Sequence, residues 1–542
     1  MKKKRSTKQS FIQGTLILLA AGIINRILGF IPRITLPRII GAEGVGIYQL
    51  GYPFMLVVIT FITGGIPLAV SKLVAEADAV NDHRRSKQIL NNSLLFSVTA
   101  GILLSGLCLI LAPWITTYIL TDKRVYYTFM MMTPIIVLVS VSSVLRGYFQ
   151  GKQNMIPTAA SQVAETVIRI VTMIGCAYLF LPYGLEWAAA GAMLGVVIGE
   201  FAGLLVLWLE LRSSRKQEME QSKPNNFSSE QSHDDDTISP AQREQPKEWR
   251  NLFKIAIPVT GGKLIGSLSY LLESIAIARS LAVAGVSTAV ATAQYGILQG
   301  MIIPVLTLPG ALTYSLAVSL VPSLSEAYGR KDMQTIRKRL HQAIRLALVS
   351  GAPFAVIMFV LAAPLCAILY NDPSVGSMLR WMAPVAIFIY IQAPLQAALQ
   401  ALDRPGTALT NTLIGAILKL ALIVQLASIP ALGIKGAVIA ICINIIVVTS
   451  MHAYMVMRSL KLKLPWLDFL KVITAMIIMA AITQYLYIHA PLGALPMVAR
   501  FILASLIGIA SYIALLIFMK LVDRSDMSRM PMIGRWFNDK AA

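Results

Sequence analysis

Cysteine, histidine and acidic side chains are scarce in this chain, and so are the signatures of covalent catalysis. The four cysteines, Cys108, Cys176, Cys366 and Cys442, all fall in apolar runs and show no paired zinc-ligand spacing, so they read as packing residues. The five histidines, His83, His233, His341, His452 and His489, are scattered. His233-Asp234-Asp235-Asp236 has metal-binding chemistry but lies in a polar tract that reads as solvated linker. A phosphate-binding Walker loop, a GxSxG elbow, an HExxH pair and a large extramembrane domain are all missing. The expectation is a protein that is not an enzyme and carries no cofactor or metal.

Charge is also sparse, at 13% of residues, whereas hydrophobic residues make up 56% and the mean hydropathy is +0.69. That excludes a soluble fold, and the apolar runs repeatedly reach the roughly 20 residues needed to cross a bilayer core. Reading between charged and Pro/Gly-rich breaks predicts spans near residues 11–37, 47–74, 89–120, 125–149, 156–181 and 186–209. A second set follows near 251–283, 293–322, 341–370, 377–400, 406–429 and 433–457, with two more near 467–489 and 495–519. The fold class is therefore an all-α polytopic membrane protein of about 14 transmembrane helices.

The net charge of +21 sits mostly in loops on one side. Lys2, Lys3, Lys4, Arg5 and Lys8, the Arg84/Arg85/Lys87 and Arg330/Lys331/Arg337/Lys338/Arg339 groups, Arg458/Lys461/Lys463 and Arg524/Arg529/Arg535 share that side. Lys123, Arg124 and Lys435 face the other. The rich side is the cytoplasm, so both termini are expected inside a cell membrane. This bias accounts for the charge without nucleic acid as a partner. The first apolar stretch runs past Arg26 without a small-residue cleavage pattern, so it reads as a retained helix.

The chain repeats itself. Met132-Thr133-Pro134 recurs as Met382-Ala383-Pro384, and Gln150 to Pro157 falls opposite Gln400 to Pro405. Leu68-Ala69-Val70-Ser71 is echoed by Leu316-Ala317-Val318-Ser319, and Arg26-Ile27-Leu28-Gly29 by Lys263-Leu264-Ile265-Gly266. Six helices per half relate the halves by an axis along the membrane normal, giving two parallel-repeat six-helix lobes of the MATE/MOP-like kind plus two C-terminal helices. The expected domains are residues 1–209, a flexible cytoplasmic linker at 210–250, a second lobe at 251–457, and the extra helices with a basic tail at 458–542.

Charges inside spans carry the functional reading. An Arg or Lys near the bilayer centre costs roughly 2.5 to 3.5 kcal/mol, so Arg26, Arg33 and Lys263 facing lipid would cost on the order of 8 to 10. They are expected to face a wet cavity or an anion. Seven residues separate Arg26 from Arg33, which places them on one helix face about 10 Å apart along the axis. Lys263 is the repeat counterpart of Arg26, and Arg169 that of Lys419. The competing reading is neutralisation by Glu165, Glu200 or Glu273, or snorkelling. Arg169 has Glu165 at i−4, where Lys419 has Gly415. Glu273 and Arg279 read as pairing or rim residues. Pro32, Pro37, Gly64-Gly65, Pro67, Gly261-Gly262, Pro304 and Pro309-Gly310 mark helices 1, 2, 7 and 8 as bent candidates for a moving lining.

Asn25-Arg26-Ile27-Leu28-Gly29-Phe30, Pro37-Arg38-Ile39-Ile40-Gly41-Ala42-Glu43-Gly44-Val45-Gly46 and Gly64-Gly65-Ile66-Pro67-Leu68-Ala69-Val70-Ser71 resemble the stage V sporulation protein B branch of the multidrug/oligosaccharidyl-lipid/polysaccharide exporter superfamily. That branch looks related to MurJ-type flippases. The resemblance implies a cationic cavity between two lobes, alternating access, and export of an undecaprenyl-diphosphate-linked cell-wall precursor, lipid II or a related lipid-linked oligosaccharide. It further implies a groove from the last two helices for the lipid tail. Many MurJ relatives carry another Arg early in helix 2, where Phe54 to Ile59 here is apolar, so the glycan stays open. The expected partners are the lipid-linked glycan diphosphate, membrane lipids and cell-wall synthesis proteins around a monomer. A coupling ion or the membrane potential would supply the drive. The alternatives are a multidrug/cation antiporter of the same superfamily and a non-transporting scaffold in wall or spore assembly.

Overall fold

The computed structural model describes residues 11–221, 245–461, 466–489 and 495–521. The His233 tract and the Arg524/Arg529/Arg535 tail lie outside the described residues. Among the described residues the secondary structure is entirely helical. Among these residues thirteen stretches are long and apolar enough to cross a membrane, and the first, Leu16–Ala79, is 64 residues long, more than twice what one crossing needs. About fourteen crossings result, as the hydropathy pattern predicts.

By packing, the chain divides into two compact units, Met1–Arg279 with Ser287–Gly296, and Ser280–Val286 with Ile297–Ala542. The first unit contains α1 (Phe11–Leu28), α2 (Phe30–Thr63), α3 (Ile66–Ala79), α4 (His83–Trp114), α5 (Tyr126–Met132), α6 (Pro134–Gly151), α7 (Ile156–Phe180) and α8 (Leu185–Gln221). It also holds nearly all of α9 (Gln245–Val283) and the whole of α10 (Thr288–Tyr295). One core joins α3, α4, α6, α8 and the start of α9 through Val70, Leu73, Leu90, Val144 and Leu252; a second joins α2, α7 and α8 through Leu36, Ile40, Met173 and Ala188.

The second unit holds α11 (Ile303–Thr307), α12 (Gly310–Gly329), α13 (Met333–Val360), α14 (Ala362–Tyr370), α15 (Gly376–Met382), α16 (Ala386–Ala401), α17 (Pro405–Ala427) and α18 (Ile434–Leu460). The extra helices α19 (Trp466–His489) and α20 (Met497–Phe518) share its core through Val472, Ala475, Met479 and Tyr512. Polar ties hold them in place: His341 pairs with Asp468 at 3.1 Å, and the Lys471 ammonium donates to the Met519 carbonyl at 2.9 Å, at the negative end of α20.

The repeat is visible in backbone detail. Left-handed residues recur at a shift of 250 positions, Asn81 and Lys331 (φ 57° and 58°), Thr121 and Asn371 (60° and 58°), and Gln153 and Asp403 (57° and 56°). Each of the first two pairs precedes an aspartate that caps the next helical turn: Asp82 and Asp332, then Asp122 and Asp372.

Two expectations need revision at their edges. The polar stretch 210–250 is helical at both ends, because α8 runs on to Gln221 and α9 begins at Gln245. Leu211-Arg212 and Arg215-Lys216-Gln217-Glu218 are good helix formers and extend the membrane helix into water. Gly261-Gly262 does not interrupt α9, since an isolated glycine pair weakens a helix without removing a hydrogen bond. Breaks do occur elsewhere. Gly41 takes φ 65° and ψ −178° inside α2, a conformation open to glycine, and there α2 is kinked into two helical pieces. Gly64-Gly65 separates α2 from α3. After α10, Gly296–Ile302 winds into wide π turns and Pro309 follows α11. Two buried tyrosines satisfy carbonyls there: Tyr370 donates to Met301 at 2.8 Å and Tyr390 to Leu306 at 2.9 Å.

Candidate functional site

The first unit contains a buried charge cluster built by a glycine stripe. Gly191, Gly195, Gly199 and Gly203 recur every four residues along α8, and each lies directly against α7. A Cβ on Gly199 would fall 2.5 Å from the Arg169 Cβ, and one on Gly203 would fall 3.0 Å from the Glu165 Cβ. Small residues at this spacing let membrane helices approach backbone to backbone. The approach brings Glu200 of α8 against Glu165 of α7.

Glu165, only 7% exposed, receives a guanidinium on each oxygen: Arg146 of α6 at 2.7 Å on Oε2 and Arg169 at 3.1 Å on Oε1. The i−4 pairing of Arg169 foreseen from spacing is therefore present, while Arg146, inside a predicted span, was missed. An Arg within a crossing is itself the signal that would have found it. A buried carboxylate held by two guanidiniums has its charge compensated and its lone pairs filled.

Tyrosines extend this neighbourhood. Tyr52 of α2 lies within electrostatic reach of Arg169, Arg33, Glu200 and Glu165, and Tyr48 of Tyr52, Arg169 and Arg33. Tyr270 of α9 senses Glu273, Tyr52 and Arg33, and Tyr295 of α10 senses Tyr270 and Glu273. Arg33, Arg169, Glu165, Glu200 and Glu273 are thus brought into one polar zone of the first unit. Glu273 is buried, and Arg33 is exposed.

Arg26 on α1 and Lys263 on α9 are both exposed, and a break at Gly29 separates Arg26 from Arg33. Their surroundings are uncrowded: a Cβ on Gly22, Gly261, Gly262 or Gly266 would meet nothing within 4 Å. Arg279 donates to the Tyr118 carbonyl at 3.1 Å. Lys419 belongs to the second unit, on α17, where Gly415 packs against Val448 and Asn444 of α18. Among the described residues no group of His, Cys, Asp and Glu is arranged to hold a metal ion.

A duplicated, multi-pass helical membrane fold with basic and aromatic side chains in its crossings defines a membrane transporter class. The family model described as polysaccharide biosynthesis protein matches residues 11–328, and the MatE model matches 268–425. Stage V sporulation protein B of Bacillus subtilis (strain 168) is 42% identical over 532 residues, 97% of this chain and 99% of that protein. Lipid II flippase MurJ of the same organism is 26% identical over 451 residues, 80% of each chain. The chain therefore belongs to the polysaccharide biosynthesis protein family of the multidrug/oligosaccharidyl-lipid/polysaccharide exporter superfamily. Its relatives are transporters and flippases rather than enzymes. Among solved structures, lipid II flippase MurJ in an inward closed conformation aligns with a TM-score of 0.68 at 17% identity, covering 93% of this chain and 99% of that one. An inward-facing MATE family multidrug transporter aligns at 0.61 and 16% identity, covering 80% and 94%. Both likenesses concern the fold.

Proposed function

We propose that this protein is a flippase for a lipid-linked glycan diphosphate, carrying the anionic head group of a cell-wall precursor from the inner to the outer leaflet by alternating access. The observation that carries the reading is the set of exposed cations within the crossings, beside a buried carboxylate that already holds two guanidiniums. The buried carboxylate Glu165 is already occupied by Arg146 and Arg169, whereas Arg26, Arg33 and Lys263 stand exposed within crossings. Such cations replace water around a phosphate, and a doubly occupied carboxylate is poorly placed to receive a drug cation. Relatives named lipid II flippase and stage V sporulation protein B support a lipid-linked substrate and a role in wall or spore construction.

In this reading Arg26 and Lys263 hold the diphosphate, and Arg33, Arg169 and Lys419 guide it. With both termini in the cytoplasm, about two negative charges move outward, which releases roughly 4 to 5 kcal/mol at 100 mV. The potential then serves as a drive. Proteoliposomes loaded with fluorescent lipid II test this. Flipping should slow when the potential is collapsed, and R26A and K263A should abolish it while inserting normally. Full activity in both variants removes the cationic site, and movement of a drug cation instead of the lipid favours the antiporter.

A further inference from the structure

The extra helices α19 and α20 meet α13 at a weak point of its backbone. Pro353 lies inside α13, and proline has no amide to give, so the Val349 carbonyl one turn earlier lacks its helical partner. Tyr512 of α20, 1% exposed, donates its hydroxyl to that carbonyl at 3.3 Å. The repeat supplies a comparison. At the shift of 250 positions seen in the left-handed residues, Pro353 corresponds to Leu103 of α4, which is 73% exposed, whereas Pro353 is buried. The proline and its cover thus occur together in the second half.

A second tie fastens the hairpin nearer the start of α13. His341 Nε2 lies 3.1 Å from Asp468 Oδ2 in the first turn of α19, with the two side chains 38% and 23% exposed. Met333–Val360 contains no acid and Trp466–His489 contains only Asp468, so the bond joins a basic helix to the single carboxylate of its neighbour. The charges around it are otherwise engaged or face outward. Arg337, one turn before His341, donates to the Leu460 carbonyl at 2.8 Å, and Lys471 of α19 donates to the Met519 carbonyl. Arg345 lies one turn after His341 and is half-buried. Glu326 of α12 pairs with Arg330, while Arg458 near the end of α18, Asp403 after α16 and Lys520 after α20 are exposed. Histidine changes charge between pH 5 and 8, so the bond to Asp468 is ionic on the acid side and an ordinary hydrogen bond on the alkaline side.

We propose that the α19–α20 hairpin is a proton-tightened splint on α13, with Tyr512 as its pivot at the proline and His341–Asp468 as a latch on the first turn of α19. The imidazolium binds the carboxylate more strongly than the neutral ring, so the latch holds below the histidine range and loosens as pH rises through it. The apolar core through Val472, Ala475 and Met479 keeps the rest of α19 seated when the first turn lifts. Exchanging a charge-assisted bond for an ordinary one shifts the balance between latched and lifted forms by about fivefold. The device belongs to the second unit alone and does not depend on what the protein carries.

Spin labels on Q334C and L470C test the latch in the full chain in lipid nanodiscs, with Cys108, Cys176, Cys366 and Cys442 changed to Ala. The expected result is a longer-distance population that grows about fivefold between about pH 5.5 and 8. H341Q and D468N should show the larger population at both pH values, and H341R the smaller one at both. H452Q and H489Q, which remove the other histidines of this unit, should keep the response. Y512F should enlarge the population at both pH values and leave the response in place. His341 and Asp468 are both part-exposed, so their variants stay foldable. Equal distances at the two pH values before mutation overturn the proposal, as does a pH response that survives in H341Q. The distances are read without substrate, so a failed lipid II assay leaves this test intact.

Discussion

Removing Arg146 should destabilise the protein more than removing Arg169, although only Arg169 belongs to the helix that carries Glu165. The Arg146–Glu165 pair is the shorter, 2.7 Å against 3.1 Å, and the Arg146 side chain is 20% exposed against 30% for Arg169. Breaking a buried pair by deleting one partner costs about 3–5 kcal/mol, because an uncompensated charge stays behind. In R146A the carboxylate keeps Arg169, so the lower end applies, about 3 kcal/mol. At about 2–4 °C per kcal/mol for a unit of a few hundred residues, this lowers the unfolding midpoint by about 6–12 °C, with R169A at roughly half. E165Q behaves differently. Glu200 lies against Glu165 with Oε2 buried and unpartnered, so it can accept a released guanidinium. E165Q alone is then mild, and E165Q/E200Q exceeds the sum of the single changes by at least about 1 kcal/mol. Thermal unfolding in detergent, followed by intrinsic fluorescence at a fixed scan rate, measures all five variants. A midpoint for R146A within about 2 °C of wild type, or strict additivity of E165Q and E200Q, would refute the reasoning.

Other consequences are as direct. G195L should abolish folded protein, because its side chain would enter the Met173 backbone, whereas G262L, in open space, should be recovered at near wild-type yield by gel filtration. Y390F should cost about 1–3 kcal/mol in the same unfolding assay, since it strands the buried Leu306 carbonyl; a loss under about 0.5 would show that another donor takes over. Burial pushes the Asp122 carboxyl up, but hydrogen bonds from Arg124 and Thr292 outweigh it and hold the group below the usual carboxylate range. Its contribution is therefore present above the ordinary carboxylate pKa and lost as pH falls through the depressed value. The thermal unfolding midpoint should hold from neutral pH to about 5 and fall below about 4, and D122N should lessen that fall.

Much of the fold was legible in the sequence. Long apolar runs fixed the helical class, since only hydrogen-bonded helices or closed barrels satisfy a backbone in lipid. The doubled Met-x-Pro signature announced the repeat, and the same shift of 250 positions reappears in the left-handed residues and their capping aspartates. Local chemistry was equally readable where partners are near in sequence, as in Arg169 and Glu165. Contacts from remote parts of the chain were not. Nothing in the order of residues says that Arg146 reaches Glu165, that four glycines on α8 select which face of α7 is covered, or that Thr292 finds Asp122 across 170 positions. Periodicity and hydropathy act through neighbours along the chain and so determine which segments become membrane helices. The pairing of charges depends on which helix faces meet, and that is decided by close packing of the whole unit.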